Sequence, residues 1–170
     1  MRAIGKGSLS SILAVGLHVT RIILWIMLGV VTLVLFLLPF APFVADLVSD
    51  TDGFDIEGER GAVEFVKVSY AFVTTAVMLF VVNRLLEILK ALRFGSPFVK
   101  ENADRFRSIG YALLMGEGAK FGFGFLSLIF DAEIDLNMTF LAWLAIITVF
   151  VLAEVFREGA RMKEEQDLTV

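Results

Sequence analysis

The sequence predicts an all-α integral membrane protein, a four-helix bundle of two tandem transmembrane hairpins with both termini in the cytoplasm. Three observations carry this. Hydrophobic residues make up 58% of 170, and mean hydropathy is +0.81, more apolar than the wetted surface of a soluble domain allows. The apolar residues gather in four runs, each matching the roughly 20 helical residues that cross a hydrocarbon core. Lys and Arg are shared unequally among the segments between those runs, which orients the chain.

The first span is expected at about residues 22–44. Arg2, Lys6 and Arg21 surround an apolar stretch, Ile12–Val19, as in a signal peptide. The apolar run resumes at Ile22 without a small-residue cleavage site, so an uncleaved helix is expected. Residues 8–20 either extend it or lie along the interface. Pro39 and Pro42 kink or end it at its far side. Asp46–Glu64 holds seven acids against Arg60, and its Gly and Asp content reads as turns.

The second span covers about 66–86 and grades into an amphipathic tail ending near Arg93. Residues 87–108 form a basic turn, and the third span runs about 109–130. A short acidic turn, Asp131–Asn137, leads to the fourth span at about 138–156 and a charged tail over 157–170. All 170 residues make one four-span membrane domain.

Twelve Lys and Arg fall in the amino-terminal segment, the 84–107 segment and the tail, against two, Arg60 and Lys67, in the acidic loops. This asymmetry puts the termini and the central turn in the cytoplasm. A basic inner face also suits the anionic headgroups of a lipid bilayer.

Little in the chain suggests catalysis. Cysteine is absent and His18 is the single histidine, which excludes disulfides, thiolate metal sites and two-histidine haem or zinc sites within one chain. His18 reads as a polar anchor at the interface. No phosphate loop, dinucleotide turn, metal-spaced cluster or nucleophile elbow is present. The expectation is a non-enzyme with no metal and no cofactor.

Glu117 and Lys120 stand out because they lie within the third span, roughly 12 and 16 Å from its start at Ile109. A charge facing lipid there costs at least about 2.5–3.5 kcal/mol, so both are expected to face the bundle interior. Their i,i+3 spacing allows them to pair, with Asn83, Arg84 and Glu154 as further neighbours. Two readings stand: a proton, ion or ligand site opening to the cytoplasm, or an ion pair that holds the helices together. Gly118 and Gly122 form a GxxxG in the same span. Such pairs let backbones approach closely, either within the monomer or in a homodimer.

The opening of the central turn is GSPF, Gly95–Phe98. Gly95 suits a left-handed helix cap, Ser96 an N-cap and Pro97 a first helical position. The stretch after the second span, LLEILKALRFGSPFVKEN, is echoed after the fourth by LAEVFREGARMKEEQ.

Two motifs here resemble a bacterial membrane family, domain of unknown function 2975. Gly95, Pro97, Phe98, Glu101 and Asn102 match its G-x-P-F-x-x-E-N turn. Leu152, Glu154, Phe156, Gly159, Glu165, Asp167, Leu168 and Thr169 match its terminal helix and Glu-x-Asp-Leu-Thr ending. Glu117 and Lys120 lie outside the pattern. The resemblance implies a multi-pass protein of the bacterial inner membrane with no established activity, and a helix-turn-helix transcription regulator as candidate partner.

The reading adopted is a non-enzymatic membrane regulator or interaction protein whose cytoplasmic turn and tail bind a cytoplasmic or membrane protein. Direct nucleic-acid binding is not expected, because no basic-aromatic platform is evident. The alternatives are an accessory subunit of a larger membrane complex and a small transport protein using Glu117 and Lys120.

Overall fold

A computed structural model describes residues 9–40, 43, 58–94, 97–134, 137 and 139–168. Its four long helices are α1 (Leu9–Leu37), α2 (Gly58–Phe94), α3 (Lys100–Phe130) and α4 (Phe140–Asp167). All four are long and apolar enough to cross a membrane, and no strand occurs among the described residues.

At the acidic segment a boundary departs from the expectations, whereas the ends of the first and last helices fall within them. α1 stays helical back to Leu9 and ends in a 3-10 turn at Leu38–Phe40, where Pro39 withholds a backbone donor; Pro42 lies outside the described residues. The acidic segment is already helical at Gly58, six residues before Glu64, because α2 runs unbroken for 37 residues. At 1.5 Å per residue that is about 55 Å, enough to project from a hydrocarbon core at both ends. The tail, too, is helical to Asp167.

Each helix packs on its neighbour in the chain, α1 on α2, α2 on α3 and α3 on α4, while helices further apart in sequence scarcely touch. The bundle is therefore open, closer to a row than to a ring. α1 and α2 meet through Leu24, Leu79 and Val82, flanked by Leu17, Leu28 and Leu86. α2 and α3 meet through Tyr70 and Phe123, whose rings are 5.3 Å apart, and through Val77 against Gly116. α3 and α4 meet through Tyr111 and Phe150 at 5.3 Å and Phe106 and Phe156 at 4.9 Å. Successive pairs step in opposite directions along each helix, so neighbours are antiparallel. The large side chains left outside, among them Ile22, Trp25, Leu33, Phe121, Phe125 and Leu144, form an apolar surface that lipid solvates and water would not.

One end of the row is basic and carries the end of α2, the start of α3 and the end of α4. The other is acidic. At the acidic end α4 begins well inside the row. Phe150 packs beside Gly110, so Phe140, ten residues earlier, lies level with Lys120, the middle of the expected third span. α3 continues past that level to Phe130 and closes with Asp131 in the left-handed conformation, φ 51°. The chain then returns alongside its last turns. The Ser127 hydroxyl donates to the carbonyl of Ala132, and the Ala132 amide donates to Ser127 at 3.0 Å.

Candidate functional site

Three polar constellations emerge, and they divide the residues picked from sequence differently from the expectation.

The first is the corner between α2 and α3. Gly95 and Ser96 lie outside the described residues, so the proposed caps there are not addressed. Pro97 is not the first helical residue but sits in a bend, and α3 starts at Lys100 after an extended Val99. The reason is Asn102. Its side-chain amide donates to the Pro97 carbonyl at 2.9 Å and its backbone amide to Val99 at 3.0 Å, which holds the bend back from the helix. Asn102 is fully buried. Its carbonyl oxygen accepts from Arg105 at 2.8 Å, and Arg105 in turn reaches Glu87 at 3.3 Å. Glu87 also accepts from Arg84 at 2.8 Å. A continuous polar chain thus ties the turn to α3 and α2.

The same corner is seated on α4. Phe98 packs against Phe156 with ring centroids 5.6 Å apart and rests on Gly159, where an added Cβ would collide with its ring. The two motifs therefore meet in space, and Pro97, Phe98, Asn102 and Gly159 spend their contacts on one another. Glu101, Glu154 and Glu165 remain exposed on the surface around them, with Glu154 paired to Arg157 and Glu165 3.5 Å from Arg161. Asp167 closes α4.

The second constellation is the ion pair within α3. Lys120 donates to Glu117 at 2.7 Å and to the carbonyl of Asn137 at 3.0 Å. The two side chains are 16% and 12% exposed. The pair thus faces protein, as the cost of a lipid-facing charge requires. It does not meet Asn83, Arg84 or Glu154. Val77 packs on Gly116, so Arg84 lies about 10 Å further along α2, with its own partner in Glu87. The contact that sequence reasoning missed is Asn137. Non-helical backbone at membrane depth needs protein partners for its polar groups, and Lys120 supplies one to the returning segment. No signal in sequence links residues 120 and 137, since the link depends on α4 starting late.

Gly118 and Gly122 have open space where a side chain would be, so the GxxxG is not a contact between helices of the monomer. Close approach happens at Gly110, where a Cβ would stand 2.8 Å from Phe150, and at Gly116, 3.3 Å from Val77.

The third constellation is a cleft of about 660 Å³ between α1 and α2 at the basic end. His18 and Arg21 line it from α1, and Arg84, Lys90 and Arg93 from α2. The amphipathic tail ending near Arg93 was the sign of it in the sequence.

Four membrane-spanning helices, no grouping of metal-ligating side chains among the described residues and polar sites built from ion pairs and caps define a multi-pass helical membrane protein. Over residues 22–170 the chain matches the family model of a protein of unknown function, DUF2975, and it belongs to that family. No curated protein and no solved structure matches it.

Proposed function

We propose that this chain is a non-enzymatic interaction protein of the bacterial inner membrane, with its basic end in the cytoplasm, where it holds a protein partner. The observation that supports this is the meeting of turn and tail at one corner through Phe98, Gly159 and buried Asn102. Beyond that corner α4 projects, and Arg161–Gln166 are exposed along their whole length. A helix packed at its base and exposed to solvent at its tip suits docking. Together with Glu101 and Asp104, exposed at the start of α3, Glu158, Glu164 and Glu165 offer carboxylates to a basic surface such as a helix-turn-helix regulator presents. Glu158 and Glu165 share Arg161 in solvent-exposed pairs that contribute little stability, whereas Glu87 is held by both Arg84 and Arg105 and does not take part in docking.

The test is co-purification with the tagged full-length chain. A helix-turn-helix regulator should be recovered with wild type and lost with Glu164→Lys/Glu165→Lys, a change confined to exposed side chains. Equal recovery with both would remove the tail as the docking surface.

The transport reading draws less support. A carrier site needs groups free to exchange partners, whereas the Lys120 ammonium is held by Glu117 and the Asn137 carbonyl together.

A further inference from the structure

The basic cleft does not stand alone. Below it, between α2 and α3, runs an apolar groove of about 610 Å³ lined by Phe72, Ala76 and Val77 of α2 and Ala112 and Met115 of α3. Phe80 lines both. On α2 the residues of the two clefts follow one another as Phe72, Ala76, Phe80, Asn83, Glu87 and Lys90. Steps of three and four keep them on one helix face. The cleft and the groove are thus two parts of one channel along a single face of the row, basic near the membrane surface and apolar towards its middle.

Its charge is unbalanced. Arg21, Arg84 and Lys90 face one carboxylate among the described residues, Glu87, which Arg105 shares from outside the cleft. The Arg84 guanidinium stands 5.0 Å over the Phe80 ring, so the change from polar to apolar lining falls at that pair. An occupant that suits the whole channel has an anionic head and an apolar tail. Basic pockets between membrane helices recognise anionic headgroups in this way. From Phe72 to Phe80 the groove extends about 12 Å, room for much of one acyl chain.

We infer that this channel is a binding site for a single anionic phospholipid, its phosphate held between α1 and α2 by Arg21, Arg84 and Lys90 and one acyl chain laid along α2 past Phe80. A free phosphate would use the cleft alone. A zwitterionic lipid would fill the groove but leave the surplus of positive charge uncompensated.

The experiment is native mass spectrometry of the full chain released from nanodiscs of phosphatidylcholine doped with phosphatidylglycerol. One phosphatidylglycerol should be retained in preference to phosphatidylcholine. Arg21→Gln/Lys90→Gln should weaken that retention by about thirty-fold, the loss expected for two bases near a headgroup. Arg157→Gln/Lys163→Gln, an equal charge change outside the channel, should leave it within about two-fold. Ala76→Phe, which fills the groove and spares every base, should also reduce retention, and excess inorganic phosphate should fail to displace the lipid. Equal weakening by the two charge pairs, unchanged retention in Arg21→Gln/Lys90→Gln or in Ala76→Phe, or displacement by phosphate would each overturn the inference.

Discussion

The ring of Phe98 rests on the bare backbone of Gly159, which seats the corner between α2 and α3 directly on α4. Phe98 is nonetheless 43% exposed, so the contact is a notch at the surface of the basic end of the row rather than a core position. It joins the two sequence motifs through packing, and it makes the direction of the projecting tail a consequence of the turn.

Gly159→Ala should therefore destabilise the fold by about 1–3 kcal/mol, the usual cost of overpacking. Unfolding in mixed micelles by added denaturing detergent would measure it. Combining it with Phe98→Ala should cost less than the sum of the single changes, because both act on one contact. Strict additivity would mean that the ring does not sit in the notch.

Asn102→Ala should cost about 1–3 kcal/mol, because it removes two side-chain hydrogen bonds from a fully buried position. The Pro97 carbonyl loses its donor and Arg105 keeps only Glu87. Protease sensitivity of the turn over residues 94–100 should rise in the same variant, read by limited digestion.

Lys120→Met should be the most damaging single change within the membrane, about 3–5 kcal/mol, since it strands the Glu117 carboxylate in protein. The double variant Glu117→Leu/Lys120→Met should recover part of that loss, as removing both partners of a buried pair usually does. If the double variant were worse than Lys120→Met alone, Glu117 would have an essential partner other than Lys120.

Gly118→Ala and Gly122→Ala should be neutral or stabilising by up to about 1 kcal/mol, the difference in helix propensity, because nothing lies within reach of the new methyl groups. Gly110→Ala should destabilise, with the Phe150 ring in the way. Loss of self-association in Gly118→Ala or Gly122→Ala, followed by cross-linking in membranes, would instead reveal a dimer built on that face.

A chain without cysteine offers a direct test of orientation. Single cysteines at exposed Leu168 and Glu133 should label from opposite sides of the membrane, the first only from the cytoplasm. The reverse pattern would invert the proposed topology and place the docking tail outside the cell.

Much of this architecture was legible without coordinates. Apolar runs of membrane length announce helices whatever their neighbours do, because no other unclosed backbone satisfies its own hydrogen bonds in lipid. The pairing of Glu117 with Lys120 was equally local, a matter of three residues on one helix face. Helix ends were less legible. Pro97 looks like a first helical residue until Asn102 takes its carbonyl, and Gly58–Glu64 looks like turns until it continues α2.

The sequence alone determined that four helices exist, that they share one membrane layer and that its two faces differ in charge, since those properties are sums over composition and spacing. Tertiary structure alone decided which glycines are contacts. Gly118 and Gly122 carry the GxxxG but have open space where a side chain would be, while Gly110, Gly116 and Gly159 lie outside it and receive Phe150, Val77 and Phe98. A glycine matters for packing only through what lies opposite it, and the register that brings Phe98 to Gly159 is set by where the helices begin and how they slide past one another.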